Sequence, residues 1–361
     1  MREHSTIQSG AAGLTKGGKK VLVTGGAGFI GSNYAYYHVE KYPQDHVFVL
    51  DKLTYAGNKN NLKSLLEKDA ITFLQGDISD VDYINSLFET EKFDTVINFA
   101  AETHVDRSIK DPNPFLYTNV NGTYNLLEAS RHNNVKRYHQ ISTDEVYGDL
   151  GTGSKDYFTE DTPIKPNCPY AATKAAADIL CLSYEETYGM PITISRCSNN
   201  YGPYQFPEKL IPFFFNLASQ DKEVPVYGDG KNVRDWLYVV DHCRAIDLIV
   251  QSDKYGEVYN IGGHNEYNNL EITKFILDFL GKDESLITFV NDRKAHDRRY
   301  AMDPTKIGRE LGWKPSVTFQ EGIAKTFDWY TENNEWVKDI VGRLEIPQFE
   351  IRSKTPLETT R

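Results

Sequence analysis

Short apolar runs recur along the first half of the chain, and each ends in a glycine-rich or polar cluster. Val21-Leu22-Val23 leads into Thr24-Gly25-Gly26-Ala27-Gly28-Phe29-Ile30-Gly31, and a helical pattern follows from Ser32. Val47-Phe48-Val49-Leu50 ends at Asp51, Ile71-Thr72-Phe73-Leu74 at Gly76-Asp77-Ile78, and Thr95-Val96-Ile97-Asn98-Phe99 at Ala100-Ala101-Glu102. His139-Gln140-Ile141-Ser142 ends at Thr143-Asp144-Glu145, and a sixth run covers Ile192 to Ser195. Helical segments lie between them, notably Phe115 to Arg131 and Pro169 to Tyr188. Strands alternating with helices predict an α/β fold, a Rossmann-type doubly wound parallel sheet, in which ligands bind at the carboxyl ends of the strands. The polar clusters fall at those ends.

Beyond Asn199 the pattern changes. Pro203, Pro207, Pro212 and Pro225 punctuate short elements, which predicts a smaller mixed α/β substrate-binding lobe closing over the first. The expected organisation is a disordered leader over residues 1–18, a dinucleotide-binding domain over 19–198 interleaved with the second lobe, a lobe mainly for substrate over 199–343, and a polar tail over 344–361. The formal charge of -11 argues against phosphate-tracking binding of nucleic acid, which needs a basic face. No apolar run is long enough to span a bilayer, and the N-terminus lacks the apolar core of a secretory signal. Cys168, Cys181, Cys197 and Cys243 show no C-x-x-C spacing, which predicts reduced thiols in a cytoplasmic protein and no zinc. His104, His242 and His296 likewise have no metal-ligand spacing, so no metal is expected.

The first chemical signal is the glycine turn, spaced G-x-x-G-x-x-G. Gly25 permits the turn, Gly28 lets a pyrophosphate approach the backbone, and Gly31 lets helix and strand pack closely. Asp51 stands about twenty residues past Gly31, where a carboxylate accepts both ribose hydroxyls of adenosine and repels a 2′-phosphate. NAD rather than NADP is the expected cofactor. Tyr170 and Lys174 lie four apart on a helix and so share a face. A lysine ammonium beside a phenol lowers its pKa and makes it a usable base, and the same lysine can hold a cofactor ribose. Asp144 and Glu145 on their own would read as a solvated turn or a helix cap. Beside Tyr170 they supply an acid and a base that a simple ketone-forming dehydrogenase does not need. Arg234 and Arg293 are candidates for forked hydrogen bonds to a diphosphate, with surface ion pairs as the alternative.

The glycine turn and the Tyr-x-x-x-Lys pair resemble those of the extended short-chain dehydrogenase/reductase superfamily, and the resemblance runs from about Lys20 to Trp336. Four longer stretches, Ala100 to Ser108, Ser142 to Gly148, Cys197 to Tyr204 and Asp292 to Tyr300, are similar to the dTDP-glucose 4,6-dehydratase family. That resemblance implies a lyase of rhamnose-type deoxysugar nucleotide biosynthesis, converting dTDP-glucose to its 4-keto-6-deoxy product and water. Tyr170 would take the C4 hydroxyl proton as hydride passes to NAD⁺, Glu145 the C5 proton, and Asp144 would protonate the departing C6 hydroxyl. Hydride would then return to C6 and a proton to C5. Thr143 would bond the C4 oxygen. The resemblance places Phe29, Ile30, Lys52, Leu53, Thr54, Phe99, Ala100, Ala101 and Thr118 at the cofactor, Asp77 and Ile78 beside its adenine, and Asn200 at the nicotinamide. Thr103, Asn199, Lys209, Leu210, Pro225, Val226, Tyr227, Asn269, His296, Asp297 and Tyr300 would join the substrate site. The chain departs from the family at Ala171-Ala172, where serines are usual, and at Lys294-Ala295 beside the nucleotide site. The resemblance also implies a homodimer through the Phe115–Arg131 and Pro169–Tyr188 helices. A nucleotide-sugar 4-epimerase would share the glycine turn, Tyr170 and Lys174 but needs no acid-base pair. That epimerase is the nearest rival, a 4,6-dehydratase for another nucleotide base is a further alternative, and a non-catalytic NAD sensor would typically lose the tyrosine or lysine.

Overall fold

Each of the six apolar runs forms a strand: β1 (Lys20–Thr24), β2 (His46–Asp51), β3 (Ile71–Gln75), β4 (Thr95–Asn98), β5 (Arg137–Thr143) and β6 (Ile192–Cys197). Six more follow: β7 (Asn199–Tyr201), β8 (Val224–Tyr227), β9 (Val233–Tyr238), β10 (Glu257–Ile261), β11 (Glu266–Asn268) and β12 (Ile287–Val290). The computed structural model describes residues 18–151, 153–292 and 296–342. The expected leader, apart from Gly18, and the expected polar tail lie outside the described residues, as do Arg293, Lys294 and Ala295.

The main sheet has seven strands in the order β10-β6-β5-β4-β1-β2-β3, all parallel. The order reverses between β1 and β4, which opens a crevice at their carboxyl ends. Helices cover both faces, so β1, β2, β4, β5 and β6 are buried along nearly all their length. The seventh strand was not legible as an apolar run, because Asn260 interrupts Val258-Tyr259-Ile261. It arrives from beyond Asn199 together with the Val239–Gln251 helix, whose Val239, Cys243 and Ile246 pack with Val21 and Val23 of β1. Residues past Asn199 therefore complete the first lobe as well as building the second.

Two helices differ from their sequence pattern. The first spans Phe29–Lys41, three residues earlier than the pattern at Ser32 suggests, because Gly28 takes the extended N-cap conformation. The Phe115–Arg131 segment is not a uniform helix. A short turn at Asn113–Phe115 opens into a π-helix over Leu116–Gly122, and α-helix resumes over Thr123–His132. The wide section carries Asn119, a buried amide that bonds both main-chain groups of Glu102 and the Thr173 hydroxyl. The long helix runs Pro169–Tyr188 and ends at Gly189, whose φ of 65° closes it.

The second lobe has its own aromatic core, including Tyr201, Phe214, Phe215, Trp236, Phe319 and Phe327. It carries two small sheets, β11-β9-β7 and β12-β8. The Asn334–Val341 helix buries Val337 and Ile340, and Trp336 Nε1 donates to Asn61 in the first lobe. All four cysteines are buried free thiols. Among the described residues no helix is long and apolar enough to cross a membrane, and no group of three or more His, Cys, Asp or Glu side chains could hold a metal ion.

Candidate active site

The glycine turn bends β1 back under the first helix. Gly25 has φ 65°, and a Cβ there would meet the Ala100 nitrogen at 2.6 Å. A Cβ on Gly31 would stand 2.5 Å from the Gly25 carbonyl oxygen, so only glycine permits this approach. A Cβ on Gly28 would meet only the Gly25 oxygen, at 3.2 Å, which leaves the helix N-terminus open on its outer side. That open, bare backbone fits the pyrophosphate of a dinucleotide. Asp51, at the end of β2, ties the turn down: Oδ2 accepts from Ala27 N at 2.9 Å and Oδ1 from Leu53 N at 2.8 Å. Burial pushes this carboxyl up, and the two amide bonds pull it back. Every residue expected at the cofactor lines one cavity along this crevice except Leu53, which lines the cavity adjoining it.

The catalytic candidates converge where the two cavities meet. Thr143 ends β5 and caps a single 3₁₀ turn, Asp144–Tyr147, by accepting from Glu145 N at 3.3 Å. The turn directs its two carboxylates differently. Asp144 is 3 % exposed, takes the Thr143 hydroxyl at 3.2 Å on Oδ1, and has no partner on Oδ2. Burial, then the charge of Glu145, hold its carboxyl well above the usual range, with Arg234 and Thr143 acting against them. Glu145 is half-buried and lines both cavities. The result is two neighbouring carboxyls set apart by environment, one buried with its pKa raised and the other facing the cavities.

Tyr170 and Lys174 line the same cavity from the first turns of the Pro169–Tyr188 helix, which Cys168 caps. One expectation is corrected here. The Tyr170 phenol is not lowered by the lysine; burial and then Glu145 and Cys197 push it up, and a hydrogen bond with Thr143 is what opposes them. Lys174 Nζ donates instead to the Ile141 carbonyl at 2.6 Å. Burial draws the ammonium down from its ordinary value.

The second cavity is lined by Thr103, Asn199, Lys209, Leu210, Pro225, Tyr227, Arg234, Asn269, His296 and Tyr300. Val226 and Asp297 stand apart from that lining. Strand residues alternate sides, so Pro225 and Tyr227 face the cavity while Val226 points into the lobe's core at 1 % exposure. Asp297 lines neither cavity: its carboxylate takes Asn167 Nδ2 at 2.9 Å and the Tyr300 hydroxyl. Arg234 also differs from the forked grip expected of it. Its Nη1 and Nη2 hold the carbonyls of Val233 and Asp297 at 2.8 and 2.9 Å, and the guanidinium lies over the Tyr300 ring at 4.4 Å. Arg293 lies outside the described residues.

Sequence reasoning passed over a polar junction at the mouth between the cavities. Glu208 accepts from the Tyr55 hydroxyl at 3.1 Å and pairs with His104 Nε2 at 3.5 Å, while the Arg107 guanidinium lies 3.7 Å above the Tyr55 ring. Glu102 lines the cofactor cavity nearby, and burial raises both of these glutamates. Glu102, His104 and Arg107 sit inside the 100–108 stretch, so the signal was present there. Glu208 carried none beyond its place beside Lys209.

Comparison with known proteins agrees with this geometry. Residues 22–326 match the model of the GDP-mannose 4,6 dehydratase family. The chain is 48% identical over 344 residues to dTDP-glucose 4,6-dehydratase 1 of Escherichia coli (strain K12), covering 89% of this chain and 95% of that one. Among solved structures, DesIV of Streptomyces venezuelae, a dTDP-glucose 4,6-dehydratase with NAD and TYD bound, superposes with a TM-score of 0.85 at 46% identity, covering 89% of this chain and 99% of that one. A UDP-glucose 4-epimerase of Thermotoga maritima shares the fold at TM-score 0.81 but only 30% of its sequence, over 87% of this chain and 99% of that one. A shared dehydratase sequence over nine-tenths of the length, together with a buried acid set beside a half-buried base, means that this chain belongs to the dTDP-glucose 4,6-dehydratase family.

Proposed function

We propose that the protein converts dTDP-glucose to dTDP-4-keto-6-deoxyglucose and water, for deoxysugar biosynthesis, with NAD as a cofactor that stays bound. The carrying observation is the pairing of wholly buried Asp144 with half-buried Glu145 opposite Tyr170. A 4-epimerase has no use for that pair.

The glycine turn would hold the cofactor's pyrophosphate, Asp51 its adenosine ribose, and Asp77 and Ile78 would flank its adenine. Held there, NAD would supply hydride transfer, accepting hydride from C4 and returning it at C6 with no net redox change. The chain's own groups move the protons. Tyr170 takes the proton of the C4 hydroxyl, and Thr143 holds the C4 oxygen. The ketone so formed acidifies C5, from which Glu145 removes the proton and to which a proton is restored once hydride reaches C6. Asp144, whose carboxyl burial pushes well above the usual range, gives its proton to the departing C6 hydroxyl. Lys174, whose ammonium the Ile141 carbonyl holds, would bond the cofactor ribose. The second cavity takes the sugar nucleotide, with Lys209, Arg234, His296 and Tyr300 around it and Asn199 and Asn269 as amide donors.

Two further readings accompany this one. Leu116, Tyr117 and Tyr124 on one helical segment and Ile179 and Tyr188 on the neighbouring helix are exposed, which supports a homodimer paired through these helices. Four buried cysteines that form no disulfide support a cytoplasmic setting.

Separating oxidation from elimination tests the assignment. Tyr170→Phe removes the first base, so substrate should bind while no reduced cofactor accumulates. Glu145→Gln should still form reduced cofactor, yet lose dehydration by roughly 10²- to 10⁴-fold, the range of a positioned acid-base group. Rapid-mixing absorbance with dTDP-glucose, alongside deuterium exchange at C5, reads both steps. Dehydration by Glu145→Gln at the wild-type rate contradicts the assignment.

A further inference from the structure

Behind the site lies a buried ion pair that the reaction as described does not use. Asp178 and Arg196 are 0 and 3 % exposed, with Arg196 Nε donating to Asp178 Oδ2 at 2.9 Å. A buried pair of this kind is weak evidence for stability, since well-packed apolar residues often serve as well. Its connections are more informative. Asp178 follows Lys174 by four residues on the Pro169–Tyr188 helix and so shares its face. The same Oδ2 accepts the hydroxyl of Ser142 at 2.9 Å. Ser142 stands between Ile141, whose carbonyl holds Lys174, and Thr143, which caps the carboxylate turn. Arg196 reaches that turn from the other side: Nη1 donates to the Tyr147 hydroxyl at 2.9 Å, and the guanidinium lies 4.9 Å over the Tyr147 ring. Tyr147 closes the turn that begins with Asp144, and its hydroxyl is anchored on Asn260 of β10 at 2.8 Å. Asp178 Oδ1 has no hydrogen-bond partner although it is buried.

We infer that Asp178 is a positioning residue for both halves of the reaction: its carboxylate is the counter-charge of the buried Lys174 ammonium and, through Arg196 and Tyr147, it holds the Asp144–Glu145 turn in register with the Tyr170–Lys174 helix. The inference rests on the dehydratase reading above and adds a residue to it. Around Lys174, its own helix presents Asp178, Cys181 and Tyr170, and β6 presents Cys197 and Arg196. β5 presents the Ile141 carbonyl and the Ser142 hydroxyl, and the 3₁₀ turn presents Asp144 and Glu145. The remaining charged neighbours of this helix are engaged elsewhere. Glu128 pairs with Arg131 and Tyr184 at the helix's far end, His139 bonds Thr193 and Ser195, and Arg107 stacks on Tyr55. Asp178 is therefore the anion beside Lys174 that shares its helix face. Burial works against the ammonium, and Asp178 is the leading influence that opposes this.

The sign follows. Without the carboxylate charge, the ammonium loses its proton at lower pH, and C4 oxidation loses its support there. The test uses Asp178→Asn holoenzyme, mixed with dTDP-glucose in single turnover, and follows formation of reduced cofactor across pH. The alkaline fall in that rate should begin at least about one pH unit lower than in wild type, with KM for dTDP-glucose within about twofold. A folded Asp178→Asn holoenzyme whose pH profile superposes on the wild type's overturns the inference. Tyr147→Phe decides the case if Asp178→Asn does not fold, because it removes only the hydroxyl that Arg196 holds. It should slow water loss at least about tenfold more than it slows the first hydride step, a split that simple destabilisation does not produce. Equal effects on both steps overturn the inference. Wild-type enzyme in the same assay checks the underlying reading: failure of wild type to lose water sinks that reading, whereas an unaltered variant sinks only the role of Asp178.

Discussion

Asp144 and Glu145 are neighbours in sequence with opposite environments. The 3₁₀ turn points the first carboxyl into the protein and leaves the second at the junction of two cavities. Burial and the adjacent negative charge keep Asp144 protonated above the ordinary carboxylate range. An acid with a raised pKa is competent at low pH and is lost as pH rises through that value. The elimination step, isolated in rapid-mixing experiments, should therefore fall on the alkaline side, and Asp144→Asn should be slow and lack that limb. A wild-type elimination rate that rises with pH throughout contradicts the role given to Asp144. The acid-base pair was legible in the sequence, because two carboxylates at a strand end stood near a Tyr-x-x-x-Lys helix. Its division of labour was not, since burial decides which carboxyl is neutral. The same limit explains Tyr170. Spacing placed Lys174 on its face, but spacing does not show that the ammonium would be taken by the Ile141 carbonyl.

At the level of elements, the glycine turn does two separable things. Gly31 lets the Phe29–Lys41 helix touch the turn, and Gly28 keeps the helix N-terminus bare. Gly31→Ala places a methyl 2.5 Å from a main-chain oxygen that cannot move aside cheaply. It should lower both the melting temperature and the NAD retained on purification. Gly28→Ala meets only one oxygen at 3.2 Å and should reduce cofactor retention with a much smaller change in melting. Calorimetry together with the NAD released on denaturation distinguishes the two, and equal melting losses contradict this division. Six of the seven parallel strands and the long helix were readable from their runs and caps, whereas Asn260 hid the seventh. The π-helix over Leu116–Gly122 was not, because no residue type marks it and its cause is the tertiary demand on Asn119. Val226 shows the period that was overlooked: a strand puts Pro225 and Tyr227 on one side and Val226 on the other.

Taken whole, the molecule is two lobes threaded through each other, with the chain returning at Val239–Gln251 and β10 to finish the first sheet. In the proposed function, the crevice at the switch between β1 and β4 would receive the dinucleotide, and the second lobe would close the sugar-nucleotide cavity against it. Exposed Tyr117 and Ile179, at 60 and 55 %, lie on the pair of helices that would join two copies. Light scattering should give about twice the 41.1 kDa chain mass, and Tyr117→Asp with Ile179→Asp should reduce it to one chain. A wild-type monomer contradicts the dimer. The central claim is that one bound cofactor serves an oxidation, a dehydration and a reduction in a single turnover. The most direct measurement is incubation of the purified protein with dTDP-glucose, without added NAD⁺, followed by mass analysis of the nucleotide sugar. The account predicts many turnovers of a product lighter by one water, with the cofactor still oxidised at the end. An unchanged substrate mass, with epimerisation at C4, contradicts it.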